Sequence, residues 1–131
     1  MPVDLVIENG TVCTSEGPFR AGIAVDDGKI VGIAKEENLP AADKVVNASG
    51  KIIIPGVWHT HCHFRDPGYT HKEDFESGTR CAAAGGITFT IDQTNCKPIT
   101  TTLEAFQEKR KIAESKCLVD FNHYAGAVNP K

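Results

Sequence analysis

From residue 57 onward the apolar pattern switches repeatedly between strand and helix period, and each strand ends on polar side chains. Val57 to His61 reads as a strand, and residues 65–73 as a polar loop with a Pro-Gly turn. Residues 74–84 read as a helix with Phe75, Thr79 and Ala82-Ala83 on one face, closed by Gly85-Gly86. Ile87 to Ile91 is a β-branched strand. Thr101-Thr102-Leu103-Glu104 fits a capping box and opens a helix running to about Ser115, with Leu103, Phe106, Arg110 and Ala113 at helical spacing. Leu118 to Phe121 is the next strand. Strand, helix, strand, helix, strand predicts a parallel sheet with crossover helices, the opening of either a doubly wound sheet or a (β/α)8 barrel. A barrel takes ~250 residues, so a chain of 131 has room for less than half of one.

Residues 1–56 follow a different pattern, that of a small β portion. Leu5-Val6-Ile7 ends at Asn9-Gly10, and Asp26-Asp27-Gly28 separates two apolar runs, a strong hairpin signal. Val45-Val46 and Ile52-Ile53-Ile54 flank a second turn at Ser49-Gly50. The fold class expected is therefore α/β: a β-sandwich portion over 1–56, then a partial barrel over 57–131 with about three strands and two helices. Ala127 to Lys131 read as a loop leading onward, so the chain is expected to be the amino-terminal part of a longer, truncated or processed enzyme.

The polar residues collect where parallel strands end, and ligands of α/β folds bind there. His61 and His63 stand two apart, so a strand turns them to one face as half of a site for zinc or a similar divalent metal. Cys62, between them, faces away and is expected to pack. His59 alternates onto the histidine face and is expected behind the ligands or in the core. Arg65 can grip a carboxylate through two parallel hydrogen bonds, or pair with Asp66 or Glu73 on the surface. Asn95 can bind an amide or carboxylate, or form the turn before Lys97-Pro98. Asp92 and His123, at the ends of the second and third strands, are candidates to touch the same pocket.

Composition narrows the function. A net charge of -3 gives no reason to expect nucleic acid or anionic lipid as a partner, and no run approaches a membrane span. Asp4 and Glu8 stand where a signal peptide would carry a basic region, so a cytoplasmic protein is expected. Five cysteines with no CxxC spacing imply free thiols.

The run PGVWHTHCHFRDPG, residues 55–68, resembles the opening motif of the cyclic amidohydrolases, the group of dihydroorotase, allantoinase and hydantoinase. Residues 72–95, KEDFESGTRCAAAGGITFTIDQTN, resemble that group's next segment. The resemblance implies a metal-dependent barrel enzyme opening a cyclic amide C–N bond, or closing it in reverse. It gives His61 and His63 to one of one or two divalent ions, zinc foremost, and Arg65 and Asn95 to a substrate carboxylate. Arg65 points to dihydroorotase first; allantoinase, a hydantoinase or dihydropyrimidinase, and a non-catalytic scaffold homologue are the alternatives. Departures from the family pattern fall at His59, Phe89, Gln93, Thr94 and Asn122-His123. The remaining metal ligands and the proton-transferring Asp are expected beyond residue 131, leaving the isolated segment inactive. A small cyclic amide, a second copy of the chain and the missing carboxyl-terminal part are the partners expected.

Overall fold

The computed structural model describes residues 1–126, so the loop expected over 127–131 lies outside the described residues. Two compact units divide between Pro55 and Gly56.

In the first unit, β1 (Val3–Glu8), β4 (Gly22–Asp26), β5 (Lys29–Ala34) and β6 (Ala42–Asn47) form a sheet ordered β5-β4-β1-β6. A smaller sheet, ordered β3-β2-β7, joins β2 (Thr11–Thr14), β3 (Gly17–Arg20) and β7 (Ile52–Ile53). Val12 and Ile53 of the small sheet pack with Ile7, Ile23 and Val25 of the large one, and apolar burial holds the two together. The β4–β5 hairpin turns on Asp27 and Gly28, both at positive φ (48° and 69°). That geometry is the reason Asp-Gly marks such turns, and Asp4 Oδ2 accepts the Asp27 N–H at 2.8 Å. The β2–β3 hairpin is not among the elements the sequence predicts. Its β3 contains Pro18, which reads as loop and is tolerated only because β3 is an edge strand.

The second unit is the βαβαβ array expected, an unclosed piece of (β/α)8-type architecture. β8 (Val57–Cys62), β9 (Ile87–Asp92) and β10 (Asp120–His123) pair in parallel in the order β10-β9-β8. The crossovers are α1 (Phe75–Ala84) and α2 (Leu103–Lys116). Asp74 caps α1 in a capping box with Ser77, accepting its N–H at 2.8 Å. At α2 the capping-box expectation is corrected: Thr102, not Thr101, is the N-cap, and its Oγ1 accepts the Ala105 N–H at 3.2 Å. Glu104 therefore sits one residue too early to reach back.

Cys62, Phe64, Phe75 and Ala113 form the core of this unit, with Ile112, Cys117 and Phe121 against them. Cys62 packs as expected. The inward face of α2 is corrected too: Leu103 and Arg110 are exposed, and Lys109 is fully buried. Phe106, Lys109 and Ala113 are the residues one and two turns apart that define the stripe. Among the described residues no helix is long and apolar enough to cross a membrane.

Candidate functional site

β8 carries His61 just before its last residue, Cys62, and His63 is the first residue beyond it, before the loop from Phe64 turns away. His61 and His63 are both exposed, with ring centroids 5.0 Å apart and the rings edge to face. The loop leaving β9 runs beside them. The Gln93 N–H donates to the Cys62 carbonyl at 2.9 Å, extending the ladder one residue past β9. This brings two amide side chains onto the two rings. Gln93 Nε2 lies 3.3 Å from His61 Nδ1, and Asn95 Oδ1 lies 2.8 Å from His63 Nδ1.

A buried ion pair fixes that juxtaposition from the core side. Asp92 Oδ1 accepts the Phe64 N–H at 2.8 Å, and Lys109 Nζ lies 2.7 Å from Asp92 Oδ2. The Nζ–Oδ2 approach is a charge contact; the ammonium directs its aligned hydrogen bond to the Gln93 carbonyl at 2.6 Å. One pair of charges, excluded from water, thus pins the loop after β8 and the loop after β9 together. Lys109 was not singled out from the sequence. Its signal was its place on the Phe106–Ala113 stripe of α2, opposite an Asp at a strand end.

The remaining candidates divide between two sides of the sheet. Asp92 and His123 are buried, at 1% and 5% exposure, on the side covered by the helices. His123 packs against Phe106, ring centroids 4.4 Å apart, and its Nε2 stands 3.4 Å from the Phe106 carbonyl oxygen. Burial pushes the His123 imidazole below its ordinary value, and the Lys109 charge pushes the same way. His59 is exposed rather than in the core, because β8 is the edge strand of its sheet. The ladder register also shifts between His59 and Cys62, so strict alternation does not carry from His59 to His61. Phe89 is explained by its neighbour: Trp58 is its ladder partner, with ring centroids 4.7 Å apart.

Arg65 and Asn95 line one open cleft together with Tyr69, Lys72, Cys96 and Ile99. Arg65 takes a positive φ of 64°, which turns the loop sharply after Phe64. Lys72 adds a second cation to the cleft and lies 5.9 Å from the Tyr69 ring centroid. From the sequence Lys72 reads only as part of the polar loop over 65–73. Asn95 belongs to both neighbourhoods, bonding His63 while lining the cleft of Arg65.

Two adjacent imidazoles with no obstruction from the core fit a share of a divalent-metal site. Among the described residues no group of three or more His, Cys, Asp or Glu converges to hold an ion.

No family model matches the chain. Comparison with individual proteins is more informative. The chain is 38% identical over 125 residues to a dihydroorotase of Methanosarcina acetivorans, covering 95% of this chain and 27% of that protein. It is 41% identical over 128 residues to an allantoinase of Desulfitobacterium hafniense, covering 96% and 28%. Among solved structures it superposes on L-hydantoinase (dihydropyrimidinase) from Arthrobacter aurescens with a TM-score of 0.91, at 37% identity over 96% of this chain and 28% of that one. The chain is related to the cyclic amidohydrolases. The chain spans about 28% of the length of the curated relatives it matches, and no one member of the group stands out as nearest.

Proposed function

We propose that the full-length protein hydrolyses a C–N bond of a cyclic ureide without a ring carboxylate, a ring of the hydantoin, dihydrouracil or allantoin class. The observation that carries this reading is the His61–His63 pair at the end of the first parallel strand, in a segment resembling L-hydantoinase along nearly all its length. His61 and His63 would hold a divalent cation, zinc foremost. Such an ion, when bound, polarises an amide carbonyl and makes water a competent nucleophile near neutral pH. The chain's own residues orient and select: Arg65, Lys72 and Asn95 offer hydrogen-bond donors to a ring substituent, and the Asp92–Lys109 pair keeps both loops in register. The chain spans about 28% of its relatives' length, so the activity is proposed for the full-length polypeptide.

A second reading, dihydroorotase, has a specific observation in its favour. Arg65 and Lys72 put two cations on one cleft beside Asn95, a setting suited to the carboxylate of dihydroorotate. Steady-state ring opening by the zinc-loaded full-length polypeptide separates the readings. Turnover of hydantoin, dihydrouracil or allantoin above that of dihydroorotate supports the proposal. The reverse order supports dihydroorotase, and no turnover of any ring favours a scaffold role.

A further inference from the structure

Gln93 departs from the family pattern, and its half-buried side chain lies against a ring. It meets the Nδ1 of one histidine as Asn95 meets the Nδ1 of the other. We propose that Gln93 and Asn95 are positioning residues that hold His61 and His63 by Nδ1 and leave the two Nε2 atoms free to ligate. The proposal rests on the metal reading of the histidine pair and deepens it.

A neutral imidazole carries one N–H and one lone pair, so whatever occupies Nδ1 decides what Nε2 can do. An amide oxygen only accepts, and Asn95 Oδ1 at 2.8 Å therefore places the His63 proton on Nδ1 and the lone pair on Nε2. That is the form in which a histidine ligates through Nε2, its other nitrogen donating to a carbonyl or carboxylate oxygen. At His61 the amide presents nitrogen at 3.3 Å, which donates to Nδ1 and leaves the proton on Nε2, so ligation through Nε2 requires the Gln93 oxygen to face the ring instead. A half-turn about the Gln93 Cγ–Cδ bond exchanges its nitrogen and oxygen ends, so one side chain accommodates either tautomer.

The backbone beneath them is unusually well tied for a loop. Gln93 N–H is held by the Cys62 carbonyl at 2.9 Å and its C=O by Lys109 Nζ at 2.6 Å. Further along, the Lys97 N–H donates to the Pro67 carbonyl at 2.8 Å. Residues 93–97 are therefore anchored to residues 62–67 at each end, and the amides between cannot drift from the rings. Neither side chain is needed for the core, since Asn95 is exposed and Gln93 half-buried.

The test is nitrogen NMR of ¹⁵N-histidine-labelled, metal-free full-length polypeptide, followed by zinc titration. His63 is expected as the Nδ1–H tautomer in the wild type. It should revert toward the Nε2–H form common in free histidine in Asn95→Leu, and stay Nδ1–H in Asn95→Asp, which keeps an acceptor. Zinc affinity should fall about 10–100-fold in Asn95→Leu and in Gln93→Leu, and return in Asn95→Asp and Gln93→Glu. A wild-type His63 found as Nε2–H, or leucine variants that bind zinc as tightly as the wild type, would overturn the proposal. Failure of the metal reading shows separately: zinc binding unchanged in His61→Ala and His63→Ala removes that reading, whatever the NMR spectrum shows.

Discussion

Cys62 and Cys117 lie in the core of the second unit, and burial pushes each thiol up to about 12, with the Asp92 charge adding to the effect. Thiolate is the reactive form, so neither should alkylate at mildly alkaline pH while the protein is folded. The exposed Cys81 should label first, and peptide mapping after brief iodoacetamide treatment checks the order. Labelling of Cys62 at the rate of Cys81 would contradict this packing. His123 gives a pH effect of definite sign. Its folded value lies below the ~6.5 of an unfolded histidine, because burial and Lys109 outweigh the Phe106 carbonyl and Asp92, with Arg110 adding to the depression. The unfolded chain then binds more protons just below 6.5, so this contribution to stability is complete above that pH and shrinks as pH falls toward the folded value. Urea unfolding of wild type and His123→Leu at several pH values should show a shallower decline in the variant. At this scale the sequence exposed the histidine pair, because spacing alone puts two imidazoles on one face. It hid Lys109, because a lysine reads as solvent-facing until its carboxylate partner is in place.

The elements were legible wherever local chemistry and tertiary demand agreed. α1 begins and ends within a residue of expectation, since Asp74 caps it and Gly85-Gly86 cannot prolong it. α2 was placed correctly along the chain but turned the wrong way, because its buried stripe runs through a charged residue. The β2–β3 hairpin was missed because Pro18 and Gly17 look like loop, and only edge position permits them. Lys109→Met should cost ~3–5 kcal/mol of unfolding free energy in chemical denaturation, as a buried carboxylate loses its partner. Asp92→Leu combined with Lys109→Met should cost less than the sum of the two single changes, and strict additivity would deny the coupling. Gly78→Ala is the second element-scale expectation. A Cβ there runs into the Phe64 ring, so the usual helix gain of alanine should be reversed and a thermal melt should shift down.

Across the whole molecule the α/β class and the βαβαβ order followed from period and punctuation, while sheet membership in the first unit did not. Short strands of similar composition do not announce their partners, and the parallel β1–β6 pairing joins residues far apart in sequence. The outer strands β5 and β6 carry Ile30, Val31, Ile33, Val45 and Val46 to the surface. Apolar edge strands template association, so Val31→Lys with Val45→Lys should shift size-exclusion elution toward monomer without lowering the melting temperature. Asn95 carries the last consequence. Its oxygen end lies against His63, the residue also lines the cleft of Arg65, and its amide nitrogen has two protons to offer. A ligand acceptor that takes one of those protons polarises the amide and strengthens the bond to the ring. Occupancy of the cleft and occupancy of the histidines are then thermodynamically linked, each raising the affinity of the other by the same factor.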